Sequence, residues 1–377
     1  MDIVRYQEDI ILKGLKPQKV CLLLGARRVG KSMLIEKLLN NYKKSYLFLN
    51  GEDGDTHSLL QQKTIANYRR LLSGIDLLVI DEAQAVPEIG KKLKLMVDNI
   101  KGLKVLVTGS SAFDILNISG EPLTGRSNNF YLYPIWQGEL QENPIQTKQN
   151  LDDKLIFGSY PELSNLDNND SKKKYLQELV NGYLLKDILV LDGLRNSSIV
   201  FSLLKMLAYQ IGKEVSFNEL GNSLGISKNT VEKYLNLLTK VFILVKVSAY
   251  SNNLRKEISK SQRWFFVDNG IRNAIISDFS PISLRRPDEK GMLWENYLFM
   301  ERLKRNSYKN LSINPYFWRT YDMQEIDLVE ESNKKISAFE FKYGSKKIAK
   351  VPIAFAKAYP KATFKAINTE NYIDFIL

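Results

Sequence analysis

A glycine-containing stretch near the start of the chain constrains the fold more than any other feature. The segment LLLGARRVGKSMLIEKLL (residues 22–39) places Gly25, Gly30, Lys31 and Ser32 in the pattern G-x-x-x-x-G-K-[ST], between an apolar run and an amphipathic helix pattern. Such a loop directs several backbone N–H groups, and the positive end of the helix dipole, at one anion. The sequence therefore predicts a P-loop that follows a buried parallel strand.

The predicted ligand of the P-loop is ATP together with Mg²⁺. Lys31 would reach the β- and γ-phosphates, and Ser32 would ligate the metal ion. Nucleotide contacts are predicted for the whole loop and for the start of the helix after it: Gly25, Ala26, Arg27, Arg28, Val29, Gly30, Lys31, Ser32 and Met33.

A second apolar run completes the predicted nucleotide site. The segment IDLLVIDEAQ (residues 75–84) has the pattern of a buried strand and ends in two carboxylates, Asp81 and Glu82. Ligands bind at the carboxyl ends of the strands in an open α/β sheet. We therefore expect Asp81 to hold Mg²⁺ through water, and Glu82 to orient or deprotonate the water that attacks the γ-phosphate.

The composition excludes several kinds of chemistry. The 377 residues include one cysteine and one histidine, which is too few for a structural zinc site, a disulfide framework or a dithiol pair. The histidine, His57, has no nucleophile-elbow motif near it. Metal chemistry must therefore use oxygen ligands, which suits Mg²⁺ or Mn²⁺.

Length and hydropathy indicate several domains and no membrane span. A chain this long exceeds one ordinary hydrophobic core, so two or three domains are expected. No run approaches the ~18 apolar residues of a membrane helix, and we expect no membrane partner. The first ten residues do not resemble a signal peptide, which makes the cytoplasm the expected location. The net charge of +12 is a modest indication of a polyanionic partner.

The middle of the chain, residues 215–250, has the pattern of a helix-turn-helix. Ser216 and Glu219 form a capping box that begins a short helix. Gly225 interrupts this helix, and Ser227 caps a second one. The apolar segments that follow are typical of two wing strands. The predicted DNA contacts lie on the second helix and are Lys228, Asn229 and Lys233.

The charge of this module agrees with a DNA partner. Between residues 197 and 263, ten Lys or Arg residues stand against four acidic residues, an excess of six positive charges. Winged helices also serve as platforms for protein partners, so both kinds of partner are considered.

Several motifs taken together resemble a large prokaryotic family of AAA-type ATPases. They are GARRVGKS as Walker A, LLVIDEAQ as Walker B, TGSSA, LTGR, FGSYPEL and YLQELVNGYLLKDIL. The resemblance implies ATP binding, a helical segment after the ATPase core and a C-terminal module. In the AAA-type arrangement a hydroxyl at the end of the third strand senses the γ-phosphate, and either Thr108 or Ser110 fits this role. Arg126 of LTGR is the predicted arginine finger, acting within its own chain or across a homo-oligomer.

The C-terminal segment carries a possible set of oxygen ligands. In KISAFEFKYG, Glu340 and Lys342 lie on one face of an alternating strand, and the preceding strand carries Asp327. An upstream amphipathic helix carries Glu295. Helix with Glu, strand with Asp and then Glu-x-Lys resembles the restriction-endonuclease-like core. This resemblance implies Mg²⁺ ligands at Asp327 and Glu340, with Glu295 in support, and Lys342 beside the attacking water.

These observations predict an α/β protein with four segments. They are a P-loop AAA-type ATPase domain with a doubly wound parallel sheet (1–140), a helical linker or lid (141–196), a winged helix-turn-helix (197–286) and an α/β restriction-endonuclease-like domain (287–377). The leading hypothesis is a DNA-associated ATPase whose C-terminal module is a Mg²⁺-dependent deoxyribonuclease or its binding-only descendant. The alternative is a nucleotide-driven switch that acts on a protein partner without cleaving DNA.

Overall fold

The computed structural model describes residues 3–110, 123–184, 197–251, 262–320, 322–344 and 349–377. The last two residues of TGSSA and the end of YLQELVNGYLLKDIL lie outside these ranges. The chain divides into two compact units. We call Asp2–Tyr133 with Lys240–Phe242 the N-terminal unit, and Pro134–Thr239 with Ile243–Leu377 the C-terminal unit.

The N-terminal unit contains a five-stranded parallel sheet in the described part of the chain, with the order β2-β3-β4-β1-β5. Its strands are β1 (Val20–Leu24), β2 (Tyr46–Asn50), β3 (Leu77–Asp81), β4 (Lys104–Gly109) and β5 (Ser127–Tyr131). Its helices are α1 (Gln7–Gly14), α2 (Lys31–Asn40), α3 (Gly54–Gln61), α4 (Ile65–Leu71) and α5 (Ile89–Asn99). The predicted α/β class with a parallel sheet is confirmed.

Burial explains why the apolar runs form the centre of this sheet. Every residue of β1 and β3 is buried, as expected for parallel strands that are covered on both faces. The edge strand β2 is more exposed, with Tyr46 and Phe48 both 44% exposed. Since all five strands run in the same direction, their carboxyl ends lie along one edge. The P-loop and the carboxylates that follow β3 are therefore brought to the same edge.

The C-terminal unit contains a six-stranded mixed sheet in its described residues, ordered β11-β10-β9-β8-β6-β7. Its strands are β6 (Leu244–Ala249), β7 (Gln262–Phe266), β8 (Asn314–Arg319), β9 (Glu325–Ser332), β10 (Lys335–Lys342) and β11 (Thr363–Asn368). Its helices are α6 (Pro144–Gln149), α7 (Leu151–Phe157), α8 (Asn169–Leu179), α9 (Ser197–Ala208), α10 (Phe217–Leu224), α11 (Lys228–Lys240), α12 (Asn269–Ile275), α13 (Pro287–Tyr308), α14 (Ile353–Ala358) and α15 (Tyr372–Ile376).

Helices α10 and α11 form the two helices of the predicted helix-turn-helix pattern. The Ser216 hydroxyl accepts a 3.3 Å hydrogen bond from the Glu219 N–H and begins α10. Gly225 ends this helix with a φ of +66°, a conformation that favours glycine. The Ser227 hydroxyl then accepts a 3.1 Å hydrogen bond from the Thr230 N–H at the start of α11.

The two strands after α11 belong to a larger sheet than the sequence indicates. Strands β6 and β7 pair antiparallel, as wing strands do, but β6 also pairs in parallel with β8. The sheet therefore continues from the middle of the chain into its C-terminal part. The sequence-predicted boundaries at residues 196 and 286 both fall within the C-terminal unit.

Candidate functional site

The P-loop lies between β1 and α2, and its shape depends on two glycines. A Cβ on Gly25 would lie 2.1 Å from the carbonyl oxygen of Leu132, so a larger residue cannot occupy this position without a shift of the backbone. Gly30 has a φ of +93° and caps α2, because its carbonyl accepts a hydrogen bond from Leu34. The loop thus places the amino end of α2 at the carboxyl edge of the sheet.

The Lys31 side chain is buried against the loop. It is 5% exposed, and its Nζ donates hydrogen bonds to the carbonyls of Gly25 (2.9 Å) and Ala26 (3.0 Å). The ammonium group is therefore held within the curve of the loop, where an anion would meet it. Of the other predicted contacts, Val29 is buried, whereas Arg28 and Met33 are exposed and Arg27 is partly exposed.

The two nucleotide motifs meet through side chains. Ser32 Oγ donates a 2.7 Å hydrogen bond to Oδ2 of Asp81, and Thr108 Oγ1 donates to the other carboxylate oxygen, Oδ1. The Thr108 hydroxyl also accepts a 2.9 Å hydrogen bond from the backbone N–H of Glu82. Thr108 is fully buried, so its hydroxyl is used to fix Asp81 and Glu82. Ser32 and Asp81 provide the oxygen ligands that suit Mg²⁺.

Glu82 is held at both its backbone and its side chain. Its φ of +48° lies in the left-handed region, which is uncommon for a residue other than glycine. Its carboxylate accepts a hydrogen bond from Nε2 of Gln84, which also donates to Oγ of Ser110 at 3.2 Å. The sequence analysis assigned no role to Gln84, although its position two residues after Glu82 was a signal that could have indicated one.

The loop after β2 packs closely against the same acidic residues. The Gly51 N–H donates a 2.7 Å hydrogen bond to the Asp81 carbonyl, and a Cβ on Gly51 would lie 2.4 Å from the carbonyl oxygen of Glu82. The ring of His57 lies against this loop, with Nε2 2.7 Å from the Gly51 carbonyl oxygen. His57 thus supports the backbone beside Asp81.

Arg5 braces the P-loop, a contact that the sequence analysis missed. Its guanidinium donates to the carbonyls of Val29 (2.6 Å) and Tyr133 (2.7 Å), and the residue is 8% exposed. The carbonyl and N–H of a trans peptide point in opposite directions. The bond to Val29 therefore turns the N–H of Gly30 away from Arg5. An arginine in a mixed N-terminal segment gave no local signal of this contact.

Arg126 does not lie at the P-loop of its own chain. It immediately precedes β5, and β5 pairs in parallel with β1 so that Ser127 is opposite Val20, at the amino end of β1. The P-loop follows the other end of β1, about 16 Å away at ~3.3 Å per strand residue. Arg126 Nε forms a 2.6 Å ion pair with Asp98. The structure thus excludes the predicted finger role for Arg126 within one chain.

The C-terminal unit brings together the other predicted residues. Strands β9 and β10 pair so that Leu328 is opposite Phe339, and the same register places Asp327 opposite Glu340. Opposite residues of an antiparallel pair point to the same face. Lys342 Nζ forms a 2.6 Å ion pair with Glu340 on that face, and the Phe341 N–H donates a 2.7 Å hydrogen bond to Asp327.

Glu295 of α13 joins this cluster electrostatically. Burial and the nearby charge of Asp327 raise the pKa of Glu295, and burial followed by the charge of Glu340 raises the pKa of Asp327 to about 7. For Lys342, burial lowers the pKa, but the hydrogen bond and charge of Glu340 outweigh this effect, so that the net shift is upward. Lys342 is therefore a cation at neutral pH.

Arg263 supplies a positive charge to the same cluster. This residue of β7 is 3% exposed, and its guanidinium lies 3.5 Å from Glu295 Oε1 and 2.8 Å from Glu325 Oε2. Gly212 lies close to the Glu295 carboxylate, since a Cβ on Gly212 would approach its Oε1 to 2.7 Å. The sequence analysis did not find Arg263, because one basic residue among many carries no local signal of a distant partner.

The predicted three-carboxylate metal site is not preformed. Across the described residues, no group of three or more His, Cys, Asp or Glu side chains is arranged to hold a metal ion. The physical reason is that Glu295 is directed to Arg263. Among the described residues, Oε2 of Glu340 is a buried acceptor without a hydrogen-bond partner.

The predicted DNA contacts lie on the solvent side of α11. Lys228, Asn229 and Lys233 are all exposed. The opposite side of the helix is buried through Val231 and Leu235. The structure thus presents these three residues together on one accessible helix.

Three segments of the chain match models of protein families. Residues 17–141 match the model of an AAA domain. Residues 148–282 match a domain of unknown function (DUF8612), and residues 290–372 match another (DUF4143). Residues 17–141, which contain the P-loop and the parallel sheet, thus have an AAA-type P-loop ATPase fold.

Two proteins are similar to this chain over most of its length, at low sequence identity. An uncharacterized protein of Mycobacterium tuberculosis is 25% identical over 334 residues, which cover 88% of this chain and 71% of that protein. An uncharacterized protein of Methanocaldococcus jannaschii is 24% identical over 350 residues, which cover 87% of this chain and 76% of that protein.

Two archaeal solved structures are also similar. A Walker-type ATPase of Pyrococcus abyssi has a TM-score of 0.48 at 17% identity, covering 73% of this chain and 96% of that chain. A signal transduction ATPase with a tetratricopeptide repeat sensor, from Pyrococcus horikoshii, has a TM-score of 0.33 at 13% identity, covering 82% of this chain and 50% of that chain.

Within the described residues, no helix is both long and apolar enough to span a membrane.

Proposed function

We propose that the N-terminal unit binds ATP with Mg²⁺ and hydrolyses the γ-phosphate bond. The observation that carries this proposal is the hydrogen bond between Ser32 and Asp81, which joins the P-loop to the acidic end of β3. An isolated glycine-rich loop could bind many anions. A loop serine bonded to a strand-end aspartate, with Glu82 next to it, provides the parts of a phosphoryl-transfer site.

The residues of the site have separate roles. Lys31 exchanges its bonds to the loop carbonyls for bonds to the β- and γ-phosphates. Ser32 and Asp81 would hold Mg²⁺, which would neutralise charge on these phosphates. Glu82 orients the attacking water and accepts its proton. Ser110 is the γ-phosphate sensor, because the Thr108 hydroxyl is already bonded to Asp81 and Glu82.

The test is nucleotide binding by a P-loop variant. The wild-type chain should bind ATP with Mg²⁺ in a calorimetric titration, and Lys31→Ala should abolish the binding heat. Lys37→Ala, which removes a lysine from the same helix α2, is the matched control and should bind like wild type. Equal affinity of wild type and Lys31→Ala would contradict the proposed site.

A second activity is favoured by the carboxylate cluster of the C-terminal unit. Two of its oxygens, Glu295 Oε1 and Glu340 Oε2, are buried and have no hydrogen bond within the described part of the chain. A divalent ion at Asp327 and Glu340 would satisfy this acceptor of Glu340 and would activate water for cleavage of a phosphodiester bond. We therefore propose that this unit holds Mg²⁺ and acts on DNA that is bound in part through Lys228, Asn229 and Lys233 of α11.

DNA binding distinguishes this proposal from a switch that acts on a protein partner. In a filter-binding titration of duplex, single-stranded and branched DNA, the affinity should fall steeply as salt rises. The pair Lys228→Glu and Lys233→Glu should weaken binding, whereas Lys174→Glu on α8 should not. No binding at low salt would favour the protein-partner switch. Binding without Mg²⁺-dependent cleavage would identify a module that holds DNA but does not cut it.

A further inference from the structure

Gln84 connects the side chains at the ends of two neighbouring strands. It lies in a short 3-10 turn (Ala83–Ala85) directly after β3, and its amide nitrogen donates one hydrogen bond to the Glu82 carboxylate and one to Ser110 Oγ. A primary amide has two N–H donors, and this arrangement uses both. Its oxygen, Oε1, is buried and has no hydrogen-bond partner among the residues that the structure describes.

The two side chains that accept hydrogen bonds from Gln84 have different proposed roles in hydrolysis. Glu82 is the proposed base, and Ser110 is the proposed contact to the γ-phosphate. Because the Ser110 hydroxyl accepts from Gln84, its own proton remains available for donation.

Thr108 makes a separate set of hydrogen bonds that holds the backbone of Glu82 but not its side chain. Thr108 bonds to the Asp81 carboxylate and to the N–H of Glu82. Thr108 thus fixes the position of the Glu82 backbone but not the orientation of its carboxylate. Among the described residues, Nε2 of Gln84 donates a hydrogen bond to that carboxylate.

We propose that Gln84 is a positioning residue that couples occupation of the γ-phosphate site at Ser110 to the orientation of Glu82. The proposal rests on ATP hydrolysis at this site. With ATP bound, Ser110 donates to the γ-phosphate and remains bonded to Gln84, which keeps the Glu82 carboxylate and the attacking water in line. ADP lacks the γ-phosphate, so the connection matters for the hydrolytic step and not for nucleotide binding.

The test combines two substitutions in a double-mutant cycle. Gln84→Met keeps the length of the side chain and removes both donors, and Ser110→Ala removes the other end of the connection. Each is expected to lower kcat at least about tenfold, as for loss of a hydrogen bond to a charged group. ADP affinity, measured by calorimetry, should stay within about twofold of wild type and shows that each variant is folded. The double variant should be no slower than the slower single variant, since both break the same connection.

Gln62→Met, at the exposed residue that follows α3, is the control and should leave kcat unchanged. Losses that multiply in the double variant would overturn the coupling, and so would an equal loss of ADP affinity. If wild type and Gln84→Met hydrolyse ATP at the same rate, the role of Gln84 is overturned but the proposed ATPase activity is not. Absence of hydrolysis by wild type would overturn the proposed ATPase activity together with it.

Discussion

The Ser32 hydroxyl lies 2.7 Å from a carboxylate oxygen of Asp81, although the two residues are 49 positions apart in the chain. This contact exists because β1 and β3 run in the same direction and end at the same edge of the sheet. In the proposed site, a Mg²⁺ ion at this edge would have Ser32 as a ligand and would be held by Asp81 through water. Two residues that are distant in sequence would thus share one metal ion.

Ser32→Ala should raise the Mg²⁺ concentration needed for half-maximal ATP hydrolysis by about tenfold. The substitution removes one metal ligand and leaves Asp81 to hold the ion alone. The measurement is a Mg²⁺ titration of phosphate release at saturating ATP. Ser58→Ala, on the exposed side of α3, serves as the control. An unchanged Mg²⁺ dependence would show that Ser32 is not a ligand.

Arg5→Met should weaken the binding of ATP and ADP to a similar extent, by about tenfold. Without Arg5, the peptide between Val29 and Gly30 loses the bond that fixes its orientation, and its N–H is less well presented to phosphate. Calorimetric titrations with both nucleotides measure the effect. Arg69→Met, on the exposed side of α4, controls for loss of an arginine. Unchanged affinity for both nucleotides would contradict this role.

Arg126 should contribute to hydrolysis only across a contact between two copies of the chain. Its place at the amino end of β5 rules out a contact with its own P-loop. A mixture of Lys31→Ala and Arg126→Ala protein should therefore hydrolyse ATP faster than either variant alone. No recovery, in mixed oligomers shown to have formed, would contradict a role of Arg126 in hydrolysis.

Asp327→Asn should stabilise the C-terminal unit at pH 8 more than at pH 4. Burial and the charge of Glu340 raise the pKa of Asp327 to about 7 in the folded state, above its ordinary value of 3.8. The folded state then binds the proton more tightly than the unfolded state does, so wild type loses stability as pH rises from about 4 to about 7. Asparagine does not ionise and avoids this loss.

Thermal unfolding at the two pH values measures the effect on the full chain. The control is Asp374→Asn on α15, an acidic residue away from the cluster. Mn²⁺ or Mg²⁺ should raise the unfolding temperature of wild type at pH 8, because the ion offsets repulsion between Asp327 and Glu340. A stabilisation by Asp327→Asn that is equal at both pH values would contradict the ionisation argument.

The sequence was sufficient to predict those parts of the candidate nucleotide site in which a polar motif directly follows a strand pattern. Gly30, Lys31 and Ser32 follow an apolar strand pattern, and Asp81 and Glu82 end another, so local pattern and parallel-sheet geometry together predicted their meeting. Either Thr108 or Ser110 fitted the sensor role from sequence. The proposal of Ser110 depends on the hydrogen bonds made by the Thr108 hydroxyl, which the sequence does not indicate.

Contacts between segments that are distant in the chain could not be predicted from the sequence. Arg5 and Arg263 are two of 54 Lys and Arg residues, and no spacing pattern connects them to Val29 or to Glu295. The place of Arg126 depends on which strand pairs with β1, and pairing partners are set by tertiary packing. For the same reason, the apolar segment that forms β6 predicted a strand but not its pairing with β8.

The most direct test of the account is ATP turnover by Glu82→Gln compared with wild type. Glutamine keeps the shape of the side chain but cannot accept the proton of the attacking water. We expect Glu82→Gln to bind ATP with the affinity of wild type and to release phosphate at least about 100-fold more slowly. Phosphate release at the wild-type rate by Glu82→Gln, with ATP binding intact, would contradict the account.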